Sequence, residues 1–183
     1  MGKFGEVKIS GGEFCGRKIK TPGEGTHPMG ERERIALFNM IGDRVVNNYV
    51  MDLYCGGGTL GIEALSRGAA FALFIDKSRR AVKTVNENLT SLGLYGLRGG
   101  AIQSDLVITA RTATDRYGVV IADPPYDEYN EKMVKYLPRL VLDGGILVLS
   151  HPGEPPELKG VRLDKTRKYA GATISIYVKD VVE

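Results

Sequence analysis

The chain has 183 residues, 43% of them hydrophobic and 26% charged, with a formal net charge of +3. This composition is typical of one globular domain with a substantial core, and so small a positive charge does not by itself indicate a nucleic-acid partner. The two cysteines, Cys15 and Cys55, lack metal-ligand spacing, and no stretch is apolar enough for a signal core or a membrane span. We therefore expect a cytoplasmic protein with free thiols, no metal site and no membrane association.

The amino-terminal segment predicts a β-hairpin and one helix. Glycines interrupt short apolar pieces within residues 7–22, which favours a hairpin with a basic edge over a helix. Residues 31–41 carry apolar side chains at helical spacing, and Gly42 ends that pattern. We expect residues 1–44 to form a substrate-facing extension and residues 45–183 to form the main domain.

From Tyr49 onward, short apolar runs alternate with segments of helical periodicity, which indicates an α/β fold with a doubly wound, mostly parallel sheet. The predicted strands are 49–54, 71–76, 101–103, 118–122 and 146–149. The predicted helices are 59–66, 78–92, one that begins near 105, and one around 132–140. After a proline-rich connection, runs at 161–163 and 174–178 have no helix between them and predict a C-terminal antiparallel hairpin added to the sheet.

The first strand of this series ends in a glycine-rich loop. Asp52 closes the strand, and Gly56, Gly58 and Gly61 follow with the spacing G-x-G-x-x-G, which lets the backbone approach a ligand closely. Asp76 ends the next strand, about twenty residues on, where a carboxylate accepts hydrogen bonds from ribose hydroxyls. The pattern therefore predicts a nucleotide-like cofactor.

Two cofactors fit this loop, a nicotinamide dinucleotide and S-adenosylmethionine. A dinucleotide places its pyrophosphate at the helix N-terminus, and the carboxylates of Asp52 and Asp123 are unfavourable neighbours for that charge. The sulfonium and amino groups of S-adenosylmethionine are cationic and are stabilised by carboxylates. The predicted antiparallel hairpin also departs from an all-parallel dinucleotide sheet, so S-adenosylmethionine is favoured.

The predicted strand 118–122 ends in Asp123-Pro124-Pro125-Tyr126. Two prolines prevent a helix and hold the backbone extended, which leaves a carboxylate, free carbonyls and an aromatic ring at the carboxyl end of a strand. Open α/β sheets bind ligands at that edge, and acceptors beside a ring suit a planar group with an amine, such as a nucleobase. The alternative is a strand-ending turn in which the aspartate caps a helix.

These motifs resemble those of a known class. Residues 52–61 resemble motif I of the class I S-adenosylmethionine-dependent methyltransferases, and residues 123–126 resemble their amino-methylating motif IV. The whole chain resembles the small-subunit (16S) ribosomal RNA guanine-N2 methyltransferases. The further matching positions are Ile9–Gly12, Gly16, Arg17, Pro28, Arg32, Arg34, 36–39, 60–69 and 169–173.

The resemblance implies a Rossmann-like methyltransferase fold, S-adenosylmethionine as cofactor, and RNA or a small-subunit assembly particle as partner. It implies that residues 52–58 hold the methionine part, that Asp76 with Lys77 holds the ribose, and that Ser104, Asp105 and Leu106 border the adenine. Asp105 could instead cap the following helix. The full set of expected cofactor contacts is Asp52, Tyr54, Cys55, Gly56, Gly58, Thr59, Asp76, Lys77, Ser104, Asp105 and Leu106.

The expected catalytic residues are Asp123, Pro124 and Tyr126: the carboxylate and the Pro124 carbonyl would accept the two amine hydrogens, and the ring would stack on the base. The expected substrate contacts are Arg17, Lys18, His27, Arg32, Arg34 and Pro125. Further basic candidates for phosphate contacts are Lys20, Lys165, Arg167 and Lys168.

The sequence departs from the family pattern in the segment expected to face substrate. His27 and Met29 stand where the family usually has Arg and Thr, and Ile35 stands where Glu is usual; Ser150 also replaces a more common Glu. These departures leave the target nucleotide open. They do not alter the residues expected to carry the reaction.

Two further functions remain open from the sequence. DNA adenine-N6 or cytosine-N4 methylation uses the same tetrapeptide, although sequence-selective DNA enzymes usually carry a further recognition domain. A non-catalytic RNA-binding assembly factor could keep the fold, although both motifs are intact here. We expect a monomer.

Overall fold

The computed structural model describes residues 5–23, 28–169 and 172–181. In chain order, the strands are β1 (Glu6–Lys8), β2 (Lys18–Lys20), β3 (Tyr49–Leu53), β4 (Phe71–Asp76), β5 (Gly99–Gln103), β6 (Tyr117–Ala122), β7 (Val141–His151), β8 (Val161–Lys168) and β9 (Thr173–Lys179). The helices are α1 (Glu31–Ile41), α2 (Thr59–Ser66), α3 (Arg79–Ser91), α4 (Leu106–Thr112) and α5 (Glu131–Val134).

The main sheet has seven strands in the order β5-β4-β3-β6-β7-β9-β8. The first five strands of this order are parallel to one another, and β9 is antiparallel to both β7 and β8. The predicted doubly wound α/β class and the predicted C-terminal antiparallel hairpin are therefore confirmed.

The core has two layers, one on each face of the sheet. All residues of the central strand β6 are buried. Val119 and Ile121 pack on the face covered by α1, α2 and α3, whereas Val120 and Ala122 pack on the face covered by α4 and α5. This alternation is the side-chain geometry of a strand, and it explains why a central strand with two covered faces is a continuous apolar run.

The amino-terminal hairpin is confirmed as a separate two-stranded antiparallel sheet of β1 and β2. It is joined to α2 through Glu63, which is fully buried. Ser10 donates from its backbone N–H and its hydroxyl to the Glu63 carboxylate, at 2.9 and 2.7 Å. Arg34 of α1 and Arg67 donate to the same carboxylate at 3.2 and 2.9 Å. One buried acid therefore connects the hairpin, α1 and α2.

The predicted helix around 132–140 is wrong in its extent. The structure has the four-residue helix α5, followed by a 3₁₀ turn at Leu137–Leu140. Pro138 lies in that turn; its ring disfavours α geometry at the residue before it, and it lacks the N–H that would continue a helix. The strand that follows, β7, is also longer than predicted.

No helix in the described part of the chain is long and apolar enough to cross a membrane.

Candidate active site

A cavity of about 860 Å³ opens at the carboxyl ends of β3, β4 and β6. It brings together most of the cofactor and catalytic residues expected from the sequence. Those that line it are Asp52, Tyr54, Cys55, Gly56, Thr59, Asp76, Lys77, Leu106, Asp123, Pro124, Pro125 and Tyr126.

The glycine loop turns sharply between β3 and α2. Tyr54, Gly56 and Gly58 adopt positive φ angles of 59°, 52° and 80°. A Cβ on Gly56 would meet open space, so this glycine leaves the loop backbone accessible to a ligand, whereas a Cβ on Gly58 would lie 3.1 Å from Val85. Gly58 therefore shapes the turn and does not line the cavity, in contrast to its expected role as a cofactor contact.

Asp52 lies at the floor of the cavity, with only 1% of its surface exposed. Its Oδ2 accepts a hydrogen bond from the Gly61 N–H at 2.8 Å. Burial raises the pKa of Asp52 to about 7; the Gly61 hydrogen bond opposes this shift, and the charges of Asp123 and Asp76 add to it. A buried carboxylate beside two others is a strong site for a cation.

Asp76 holds the loop in place. Its Oδ2 accepts from the Gly56 N–H at 2.9 Å, and its Oδ1 accepts from the Ser78 N–H at 2.8 Å. Carboxylate oxygens have further lone pairs, so these bonds leave acceptor capacity for ligand hydroxyls. Lys77 beside it forms an ion pair with Glu128 at 2.8 Å.

The adenine side differs from expectation. Asp105 Oδ1 accepts from the Ile108 N–H at 3.1 Å and so caps α4, which was the alternative interpretation. The Ser104 hydroxyl accepts from the Thr109 hydroxyl at 2.8 Å. Neither Ser104 nor Asp105 lines the cavity, whereas Leu106 does.

The tetrapeptide 123–126 follows β6 as predicted. Asp123 is partly buried, and burial raises its pKa; a hydrogen bond with Ser150 opposes the shift, and the Glu33 carboxylate adds to it. Pro124 is buried, while Pro125 and Tyr126 are exposed. Tyr126 is 52% exposed, so its ring is available at the cavity wall for stacking.

The cavity wall also contains side chains with no expected site role, among them Glu33 and Tyr169. Glu33 comes from the first turn of α1, and its Oε2 accepts from the Gly30 N–H at 3.3 Å. Tyr169 comes from the end of β8, and its hydroxyl is buried with no hydrogen-bond partner among the described residues. Their sequence patterns are those of a helix-capping acid and an ordinary strand-end aromatic, so only the fold reveals their position.

The expected substrate contacts do not form one set. Arg34 is 1% exposed and is bound to Glu63, so it cannot reach a phosphate in this arrangement; its expected role is corrected to that of a structural residue. Lys18 is paired with Glu6 at 2.8 Å, and Arg17 donates to the Ser91 carbonyl at 3.3 Å. Arg32 is exposed on α1. His27 lies outside the described residues.

Asn88 of α3 joins the hairpin to the glycine loop, a role that its sequence context does not signal. Its amide donates to the carbonyls of Gly57 and Lys20, both at 2.9 Å, and its Oδ1 accepts from the Lys20 N–H at 2.9 Å. The end of β2 therefore lies against the loop, and the residues that follow, Thr21 and Pro22, complete the cavity wall.

The donor set of this cavity fits S-adenosylmethionine. Three carboxylates, Asp52, Asp76 and Asp123, lie where a sulfonium and an ammonium would be stabilised, and the open space at Gly56 leaves room for backbone contact. Burial raises the pKa of the Cys55 thiol well above its usual range, so it packs as a small residue and does not act as a nucleophile. The described residues contain no cluster that could hold a metal ion.

Comparisons with known proteins agree with this geometry. The family described as "Conserved hypothetical protein 95" matches residues 7–178. "Putative rRNA methyltransferase YlbH" of Bacillus subtilis (strain 168) is 34% identical over 185 aligned positions, covering 94% of this chain and 99% of that protein. "Ribosomal RNA small subunit methyltransferase D" of Escherichia coli (strain K12) is 32% identical over 123 positions, covering 67% of this chain and 61% of that protein.

The fold has a matching solved structure. "Putative methyltransferase yhhF from Escherichia coli" has a TM-score of 0.86 at 24% identity and covers 97% of this chain and 100% of that chain. This similarity confirms the predicted fold class and extends over the hairpin and α1 as well as the sheet.

Proposed function

The chain belongs to the family described as conserved hypothetical protein 95, a family of small-subunit ribosomal RNA methyltransferases, and we propose that it methylates the exocyclic N2 amine of a guanine in that RNA. S-adenosylmethionine is the proposed methyl donor. The substrate is naked ribosomal RNA or a small-subunit assembly particle. The proposed enzyme acts as a monomer.

The observation that carries the choice of guanine is the acceptor-rich wall around Asp123. Asp123 and Glu33 line the same cavity, where the charge of Glu33 adds to the raised pKa of the Asp123 carboxyl, and the Pro124 carbonyl follows directly. Guanine presents two adjacent donors on its Watson–Crick edge, N1–H and the N2 amine. Adenine and cytosine present an amine beside an acceptor nitrogen, which a second carboxylate would repel. The wall therefore favours guanine.

The chain's residues contribute to the reaction chiefly by positioning. When bound, S-adenosylmethionine supplies an electrophilic methyl group on a sulfonium, which leaves as a neutral thioether. The Asp123 carboxylate and the Pro124 carbonyl each accept a hydrogen bond from one N–H of the target amine. These two bonds draw the nitrogen lone pair out of conjugation with the ring and orient it toward the methyl group. Tyr126 stacks on the base, a contact worth about 1–3 kcal/mol.

The proton balance requires only a weak base. As the N–C bond forms, the amine nitrogen becomes positive and one of its protons becomes acidic. The Asp123 carboxylate, already hydrogen-bonded to it, accepts that proton and passes it to solvent. The target base must be unpaired or flipped out of its stack to reach Asp123.

The test is transfer of labelled methyl from S-adenosylmethionine to small-subunit particles, naked ribosomal RNA and duplex DNA in parallel. The proposal predicts label on particles or ribosomal RNA. Label on DNA alone would contradict the ribosomal assignment. Binding of S-adenosylmethionine with no transfer to any of these substrates would favour a binding factor over an enzyme.

Glu33→Gln tests the choice of base, with Glu31→Gln as the matched control in the same helical turn. Glutamine still accepts the Gly30 N–H, so the helix cap is retained, but the second negative acceptor is lost. We expect at least a tenfold lower kcat/KM for Glu33→Gln, because one charge-assisted hydrogen bond is worth about 1.5–3 kcal/mol. Equal kcat/KM values for the two variants would show that Glu33 does not take part in base recognition.

A further inference from the structure

A second cavity adjoins the first at the ends of β7, β8 and β9. It has a volume of about 360 Å³ and is lined by Tyr126, Pro152, Gly153, Lys168, Tyr169, Ala172 and Thr173. Tyr126, Tyr169 and Ala172 also line the main cavity, so the two spaces share a wall made largely of two aromatic rings. The proposed target base does not account for this second space.

Cations lie along the strand that leads to this cavity. Arg167 places its guanidinium carbon 5.8 Å from the centre of the Tyr169 ring, and it forms no ion pair with any residue that the structure describes. Lys168 pairs with Glu154 at 2.6 Å, but these side chains are 64% and 79% exposed. An exposed pair of this kind contributes little to stability, so Lys168 can exchange Glu154 for a phosphate readily.

The hairpin is the other basic surface, but none of its residues lines the second cavity. Lys18 and Lys20 form exposed ion pairs with Glu6 and Glu87, of the same kind as the pair of Lys168 with Glu154. Lys165, in contrast, donates only to the carbonyl of Met40 at 3.1 Å and keeps its charge. Among the described residues, Lys165 and Arg167 on β8 and Arg17 on the hairpin form no ion pair, but only Arg167 lies over a side chain, Tyr169, that lines the second cavity.

The Tyr169 hydroxyl gives an independent indication of a missing ligand. It is buried without a hydrogen-bond partner among the described residues, and an unpaired buried hydroxyl destabilises the folded state. Because the hydroxyl is closed off from solvent, a ligand must turn the ring slightly to reach it. A phenylalanine would avoid this cost, so the hydroxyl is best explained by a polar partner that arrives with the substrate.

We propose that the second cavity binds the nucleotide next to the target guanine on the same RNA strand, an inference that rests on the proposed function. The neighbouring base stacks on the wall of Tyr126 and Tyr169, and the Tyr169 hydroxyl bonds to that nucleotide. Arg167 and Lys168 contact its phosphates. The strand then continues along β8 and not along the hairpin.

The experiment compares the binding of guanosine monophosphate with that of ribodinucleotides that carry a second nucleotide on the 5′ or the 3′ side, measured by calorimetry. We expect one dinucleotide to bind at least tenfold more tightly than the mononucleotide. This gain in affinity should fall several-fold in Arg167→Ala and in Tyr169→Phe, the second of which removes only the hydroxyl. Lys83→Ala, an exposed cation on α3 that lines neither cavity, should keep it.

An equal affinity for mononucleotide and dinucleotide in the wild type, or an increment unchanged in Arg167→Ala and Tyr169→Phe, would overturn the subsite. The labelled-methyl assay separates this failure from that of the proposed function. If the enzyme methylates guanine but binds no dinucleotide more tightly than the mononucleotide, the proposed function holds and the subsite is wrong. If deoxyribodinucleotides alone gave the increment, the RNA assignment of the subsite would be wrong.

Discussion

Asp52 is a buried acid that destabilises the free protein when it is charged, although its charge is suited to binding a cationic ligand. Its pKa is raised to about 7, mainly by burial, whereas an aspartate in an unfolded chain titrates near its ordinary value. Between these two pH values, the folded state binds more protons than the unfolded state. The free energy of unfolding therefore decreases as pH rises through this window. Above about pH 7 the folded protein bears the full energetic cost of a buried, charged Asp52.

We expect Asp52→Asn to unfold at a higher temperature than the wild type at pH 8 and at a similar temperature near pH 4. Asparagine keeps an acceptor for the Gly61 N–H but has no charge to bury. Its affinity for S-adenosylmethionine at pH 8 should be at least tenfold lower, because a charge-assisted contact is lost. Thermal unfolding and calorimetry across this pH range check both effects, and a variant less stable than the wild type at pH 8 would contradict the account.

Arg34 and Arg32 lie two residues apart on α1 and have opposite environments. Arg34 is buried against Glu63 and also donates to the carbonyls of Met29 and Lys8, at 3.1 and 2.6 Å. Arg32 is exposed. From the sequence both were expected to contact substrate because both match the family's N-terminal pattern, although helical spacing places Arg34 on the same face as the buried Leu37, Phe38 and Ile41.

Arg34→Met should lower the free energy of unfolding by about 3 kcal/mol, since it removes one partner of a buried ion pair. Arg32→Met is the matched control and should change stability by less than about 0.5 kcal/mol. Denaturant titration of both variants measures the difference. Similar midpoints for the two would mean that the Glu63 cluster does not hold the extension in place.

At the scale of elements, the loop between β3 and α2 depends on close contact with β4. A Cβ on Gly61 would lie 2.3 Å from the Phe74 ring and 3.0 Å from the Asp52 carboxylate, so α2 can approach the sheet only with glycine there. The last glycine of the motif therefore sets the helix–strand distance and does not touch the ligand. The same close packing fixes the position of the Gly61 N–H, which donates a hydrogen bond to Asp52.

Gly61→Ala should destabilise the fold by about 1–3 kcal/mol, the usual cost of overpacking a core, and should weaken S-adenosylmethionine binding by displacing Asp52. Gly100→Ala is the control, because a Cβ there meets nothing within 4 Å. Chemical denaturation and ligand titration test the pair. Wild-type behaviour of Gly61→Ala would show that α2 is not held at this distance.

The elements that were predicted correctly are those with strong local signals. The strands of the parallel sheet, the glycine loop and the tetrapeptide after β6 each combine an apolar run with turn formers, and these local patterns specify the sheet edge where the cavity forms. The expected site residues that the structure places in other interactions are single polar side chains with two plausible partners. Asp105 caps its own helix, and Arg34 pairs with an acid 29 residues away. Glu33 and Tyr169 reach the cavity only because α1 and β8 converge there, which no local pattern encodes.

At the scale of the whole molecule, two basic surfaces could bind RNA, the hairpin and β8. Each has lysines in exposed ion pairs, Lys18 and Lys20 on the hairpin and Lys168 on β8. The β8 surface alone adjoins the second cavity, so we expect it to contribute more to RNA binding.

Charge reversal at Lys165 and Arg167 should therefore reduce RNA affinity at low salt by at least tenfold and lower the salt dependence of binding. Reversal at Arg17 and Lys18 should have a smaller effect, and it serves as the comparison with the same change in charge. Binding measured against salt concentration distinguishes them. A larger loss for the hairpin variant would place the RNA on the opposite side of the cavity.

Identification of the modified nucleoside tests the proposed reaction on guanine. Ribosomal RNA or small-subunit particles methylated by the enzyme are digested to nucleosides, and the product is identified by mass spectrometry. The account predicts N2-methylguanosine with the wild type and none with Asp123→Ala, while S-adenosylmethionine binding is retained. A methyl group on an adenine or a cytosine, or undiminished N2-methylguanosine with Asp123→Ala, would contradict it.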